Sequence, residues 1–345
     1  MLSIDFLAGF TIFLLALIVA AGMVPGMLAG LQSATIDDDG VAYRTSVILA
    51  EDPGWWFDEF TMTGNSRWEG ETTAMDRVKR MGLAASRDTP NVLSMGKIDA
   101  FFNETSYQND PDFYRKTVFF SDYPYSFNIG LNLTEAGSIP RTLGDPIPEG
   151  DHGYIRRAVM VKESKPVTID FLDEAVKSNY IINDVATEKI FRVSLNFSEL
   201  LARDPAYRID PFSDRIEIRL DHIDETFNIA AGATSATLKD VRLYRGNTWV
   251  PPAIPDGKSQ LKIDAIEISG PVANEKVTEN ISLVLEPGFF SGKASETSMM
   301  EVRFTFANTD IPPASWTYID GTYGYNYTNI QIPNLKPAVL EVAVW

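Results

Sequence analysis

Two hydrophobic patterns divide the chain. From Phe6 to Leu31 no charged residue occurs, and apolar or small side chains fill 26 successive positions. At helical rise such a run would span roughly 39 Å, enough to cross a bilayer core of about 30 Å or fill the middle of a helical bundle. Beyond Trp55 the period becomes two. Phe127, Ile129, Leu131 and Leu133 alternate with polar neighbours, as do Phe191, Val193, Leu195 and Phe197. The same holds for Ile216, Ile218 and Leu220, for Val302, Phe304 and Phe306, and for Leu340, Val342 and Val344. Alternation of this kind predicts strands with one buried face, as in sandwiches. Short helices are expected over residues 41–51, 74–84, 95–102 and 173–178, with Asp52-Pro53-Gly54 stopping the first. Asp37-Asp38-Asp39-Gly40 lacks the alternating acids of a calcium loop and reads as a solvated turn.

The fold class that follows is α+β, a long N-terminal apolar α-helix and then a β-rich, sandwich-like head. Three divisions are expected: the apolar, transmembrane-type helix at 1–50, a β-rich head with short helices at 51–250, and a C-terminal β-sandwich at 251–345. The second cut falls at Trp249-Val-Pro-Pro-Ala-Ile-Pro-Asp-Gly257, where three prolines and a glycine suit neither helix nor strand. The last seven residues, 339–345, read as a closing strand of their own domain, with donation to a neighbour's sheet as the alternative.

Charge refines the reading of the apolar run. Asp5 precedes it, and no Lys or Arg occurs before Arg44. A secretory signal needs a basic n-region and a shorter apolar core. A plain anchor is the simplest reading, yet its orientation would normally be set by Lys or Arg. Their absence suggests removal of a basic leader, with Met1 as a processed terminus. Gly22, Gly26 and Gly30 recur every fourth residue around Pro25. Small residues at that spacing let backbones approach closely, and a proline kinks the helix that carries it.

With Met1-Leu-Ser-Ile-Asp5-Phe-Leu leading into that run, the chain resembles the type IV pilin superfamily, most closely its archaeal pilin and archaellin-like branch. Asp5 stands where the usual residue is glutamate. The resemblance covers about the first 50 residues. It implies a segment that waits in the membrane and then packs in the core of a helical filament, a homo-oligomer. It also implies a prepilin peptidase and assembly machinery as partners, and an extracellular or cell-surface location. The physics of Asp5 agrees with such a role: a carboxylate in an apolar medium costs several kcal/mol unless paired. The terminal ammonium of an incoming subunit would pair with it and set axial register. Capping its own helix is the other reading. Met1, Asp5, Gly22, Pro25, Gly26 and Gly30 are therefore the candidate assembly residues.

Composition bounds the rest. A net charge of −17 argues against nucleic acid, and against an anionic membrane surface, as partner of the head. No cysteine occurs, so disulfides and thiolate metal sites are excluded, and two histidines, His152 and His222, cannot build a histidine-rich one. No metal or cofactor is expected. Five sequons stand at Asn103, Asn132, Asn196, Asn280 and Asn326, and the second, third and fourth fall on the polar parity of their strands. No phosphate loop, nucleophile elbow or H-E-x-x-H motif appears, so no catalytic residue is named. His222, between Asp221 and Asp224, reads as a satisfied strand-end histidine. The Tyr/Gly/Thr-rich stretch 316–327 reads either as a subunit contact or sugar-binding face, or as a sandwich strand with loops. The function expected is a structural subunit of a pilus-like filament with a glycosylated outer head. The alternative is a membrane-anchored surface glycoprotein or minor pilin-like adhesin that does not polymerise. A secreted hydrolase on a signal anchor is a third class.

Overall fold

The five alternating runs are strands, the second as far as Asn196, in the computed structural model, which describes residues 10–15, 17–18, 37–71, 75–119, 125–135, 137–184, 186–310 and 313–345. The first elements are α1 (Asp38–Glu51), β1 (Trp55–Asp58), β2 (Thr63–Asn65), β3 (Val78–Arg80), β4 (Val92–Ser94), α2 (Met95–Phe101), α3 (Glu104–Asn109) and α4 (Pro111–Phe119). Then come β5 (Phe127–Leu133), β6 (Arg141–Gly144), β7 (Gly153–Glu163), β8 (Val167–Asp170), α5 (Glu174–Tyr180), β9 (Glu188–Asn196), α6 (Phe197–Leu201) and β10 (Ile216–Asp221). The chain continues through β11 (Ala236–Arg245), β12 (Thr248–Ile254), β13 (Ser259–Ile263), β14 (Ile266–Ile268), β15 (Glu275–Val277) and β16 (Ile281–Leu285). It closes with β17 (Met299–Ala307), β18 (Gly321–Tyr325) and β19 (Asn334–Val344).

Two cores result. One sheet, in the order β4-β7-β19-β5-β6, is covered by α1, α2 and α4. Two further sheets, β14-β13-β16-β10-β8 and β12-β11-β17-β9-β18, share one apolar core and form a sandwich. A small sheet, β2-β1-β3, completes the set. Phe191, Val193 and Leu195 of β9 are fully buried, as their parity requires, and each such side chain contributes roughly 1.5–3 kcal/mol by leaving water.

These observations correct the expected α+β class led by a long apolar helix. The fold is mostly β, with 39% of it in strands and 22% helical. Among the described residues no helix is long and apolar enough to cross a membrane. An uncharged run shows that a segment is apolar, but the absence of charge is not a helical period and does not by itself fix a long helix. The assembly candidates Met1, Asp5, Gly22, Pro25, Gly26 and Gly30 lie outside the described residues.

Strand pairing also runs across the expected divisions. Residues 38–50 belong to the body, since Ala42, Leu49 and Ala50 are buried in the first core. At the 250/251 cut, β10 pairs with β16 and β11 with β17 on either side. Instead, Glu163 at the end of β7 lies opposite Asn334 at the start of β19, so the whole sandwich leaves and re-enters the first unit at one point. β19 is accordingly a central strand between β5 and β7 and closes the first unit, not a C-terminal domain of its own. The proline-rich stretch read as a linker is β12, an edge strand on β11, where missing N–H groups are tolerated.

Two local expectations change for capping and pairing reasons. Asp37 accepts a 3.0 Å hydrogen bond from Gly40 N, and Asp38 and Asp39 sit in the first turn of α1, where acids suit the helix dipole. The acidic tetrad is therefore a helix start. Over 74–84, Met75–Arg77 makes one 3₁₀ turn and Val78–Arg80 joins β1 as a strand, because Val78 pairs opposite Trp56.

Candidate functional site

Several of the buried charges of the body, Glu69, Lys97, Lys162, Asp210 and Asp214, lie close together. Lys97 lies on the apolar face of α2 beside Ile98 and Phe101, with its side chain only 3% exposed. Its ammonium donates to Glu69 Oε2 at 2.9 Å, to Pro53 O at 2.8 Å and to Ser66 O. All three of its protons are thus used. Burial pushes the Glu69 carboxyl up and the Lys97 ammonium down, each against the pull of its partner. Glu69 Oε1 is buried with no hydrogen-bond partner.

A second pair bridges the units. Lys162 of β7 donates to Asp214 Oδ2 at 2.7 Å, and both side chains are buried. Asp214 Oδ2 also accepts from Asp210 N at 2.8 Å, and Asp210 faces Arg67 at 3.4 Å. Arg67 reaches Glu296 at 2.9 Å and lies 4.4 Å above the Phe212 ring. The backbones touch at Gly70 and Gly288: a Cβ on Gly288, whose φ is +79°, would come within 2.7 Å of Gly70 Cα. The approach requires glycine at both positions.

A cleft of about 580 Å³ opens beside this network, lined by Asp99, Glu163, Asp214, Glu217 and Glu286 together with Lys162, Lys165, Arg215 and Lys258. An acid pair free to act in a deep cleft would speak for hydrolysis. Here Asp214 is tied to Lys162, and Arg215 approaches Glu286 at 4.0 Å. Burial raises the Glu286 carboxyl, Arg215 opposing. The desolvated pair that crosses the two units is Lys162–Asp214, and removing one partner would strand the other's charge. Among the described residues, no group of three or more His, Cys, Asp or Glu is placed to hold a metal ion.

The sequence-derived surface candidates are scattered. Asn103 is exposed and caps α3, its amide oxygen accepting from Ser106 N at 3.2 Å. Asn132, Asn196, Asn280 and Asn326 are half-buried, and Asn132 Nδ2 donates to Glu341 Oε2 at 3.2 Å. Asn132 lies within β5 and Asn196 ends β9, Asn280 and Asn326 flank β16 and β18, and none of the four is as exposed as Asn103, the most open sequon. In the stretch 316–327, Tyr323 and Tyr325 of β18 are buried in the sandwich core, and Tyr327 donates to Leu200 O at 2.7 Å. That stretch is a core strand with its loop.

His222 follows β10 in the left-handed region at φ 57° and bonds Asp170 Oδ1 through Nδ1 at 2.8 Å. This bond, helped by the charges of Asp170, Asp224 and Asp221, raises its pKa above the ordinary 6.5, with desolvation opposing. The pairing stabilises fully below pH 6.5 and is lost as pH rises through the raised folded value. Asp170→Asn is expected to lower the His222 titration midpoint followed by NMR; an unchanged midpoint would contradict the pairing.

Eight residues of the apolar run are described. Residues 10–15 and 17–18 are helical, and Phe10, Ile12, Phe13, Leu14, Leu15, Leu17 and Ile18 are 39% to 69% exposed. Neither core draws a described residue from before Val41. The buried ion pairs escaped sequence reading, although Lys97 betrays itself by sharing a helical face with Ile98 and Phe101. No family model, curated protein or solved structure matches this chain.

Proposed function

We propose that the chain is a structural subunit of an extracellular, type IV pilus-like filament. Its apolar N-terminal segment packs with those of other copies, and its β-rich body forms the outside. One observation carries the reading: an uncharged run follows Asp5, its described residues expose large apolar side chains, and neither core draws a described residue from before Val41. An apolar surface of that size needs a partner, and neighbouring copies or the membrane supply one. The resemblance of the first residues to archaeal pilins favours copies of the same chain. Before assembly the segment rests in the membrane, and a prepilin peptidase and assembly machinery act on it. The desolvated Lys162–Asp214 pair between the units suits a body that must stay rigid. Asn103, the open sequon, is the first candidate for a glycan.

Asp5 gives the test. If its carboxylate pairs with a neighbour's terminal amine and sets register, Asp5→Ala in the native host should leave folded, membrane-held subunits but few filaments. Wild-type filament yield from that variant would remove the register role.

A further inference from the structure

The geometry points to a binding groove for an acidic saccharide on the outer face of the β2-β1-β3 sheet. Along β1, Trp56 and Asp58 turn inward, Trp56 packing on the first core, and Trp55 and Phe57 turn outward. Trp55 is 39% exposed, and Arg80 is its cross-strand partner. Gly64 of β2 backs the indole: a Cβ there would come 2.7 Å from Trp55 Cζ2. One broad apolar ring is thereby held in place with its open side facing solvent.

Cations surround it. A shallow depression of about 410 Å³ is lined by Trp55, Lys79, Arg80 and Arg87, with no acid among them. Arg80 holds Asp52 at 2.9 Å through Nη2, but its buried Nε has no hydrogen-bond partner. Lys79 meets the exposed Glu59 at 3.1 Å. Arg87 is exposed, and among the described residues no carboxylate lies within 4.0 Å of its guanidinium. On a chain of net charge −17, a depression lined by three cations and no acid runs against the overall balance.

Trp55 and Arg87 also line a second depression, where Asn65, Ser66 and Ser86 supply neutral donors and acceptors and the lining acids Glu69, Asp210 and Glu296 are each paired to a cation. An aromatic face, guanidiniums and adjacent small polar groups match the C–H face, the anionic substituent and the hydroxyls of one ligand class. A carboxylated or sulfated sugar would stack on Trp55, place its anion between Arg80 and Arg87, and turn its hydroxyls toward the second depression. The inference is independent of polymerisation.

Full-length chain in mild detergent can be titrated with size-defined oligogalacturonate, hyaluronan and dextran sulfate fragments, with the methyl ester of the first, and with poly-glutamate of matched charge. Tryptophan fluorescence and calorimetry report binding. At least one acidic saccharide should bind, more weakly as salt rises, and poly-glutamate should not compete. Where the uronate binds, its ester should bind about tenfold less tightly. Trp55→Ala and Arg87→Gln should each weaken binding about tenfold with unchanged thermal unfolding, and Trp55→Phe should retain most of it. Should Trp55→Ala fail to fold, the exposed Arg87→Gln carries the test alone. The groove is overturned if no acidic saccharide binds, if the ester binds as well as the acid, if poly-glutamate binds equally, or if both folded variants bind as wild type does.

Discussion

Lys97→Ala is expected to lower the stability of the body by about 3–5 kcal/mol, read as a shift of the denaturant midpoint at constant slope. The ammonium makes three buried bonds, and its removal leaves the Glu69 carboxyl, 0% exposed, with neither a cation nor a donor on Oε2. Pro53 O and Ser66 O lose their donor as well. The cost comes from stranding the survivors more than from losing attraction. Replacing both members, Lys97→Met with Glu69→Leu, should therefore recover much of the loss, since apolar replacements of similar volume avoid the desolvation cost. A single-variant loss below about 1 kcal/mol, the value of an exposed pair, would show that water reaches the site.

Removing residues 1–36 should change solubility far more than it changes the fold. Every described residue of the two cores lies at or beyond Val41, and α1 carries its own cap at Asp37. The truncated chain should be a monomer by sedimentation, with the sheet signal of the full chain in circular dichroism. An aggregated or unfolded product would mean that the body takes stability from the segment or from neighbours, against the independence of its cores.

The β-rich body was legible because period two encodes a buried face directly. Phe191, Val193 and Leu195, like Ile216, Ile218 and Leu220, are all 0% exposed. Topology was not legible, because alternation says that a strand has a buried face and not which strand lies beside it. That β19 returns between β5 and β7 depends on pairing between residues as distant as Glu163 and Asn334, or Phe127 and Val344. The prolines of β12 marked an interruption, but an edge strand and a linker tolerate them for the same reason, a missing donor. The apolar run announced an interaction surface without defining its span. Charged residues were the hardest to place. In a chain with 47 acids and 30 bases, Lys97, Lys162 and Asp214 look like surface charge until the fold brings them together. Trp55 gave no signal either, since only the turn of β1 and the space at Gly64 distinguish it from its inward neighbour Trp56.

The central claim, that the apolar segment joins copies of this chain into a filament, is tested most directly on material released from native cells by shear without detergent. Sedimentation followed by negative-stain microscopy, with antibody raised against residues 37–345, should find the chain in high-mass fibres decorated along their length. Recovery only after detergent, as a small membrane-derived particle with no labelled fibres, would contradict the account and assign the segment to anchoring.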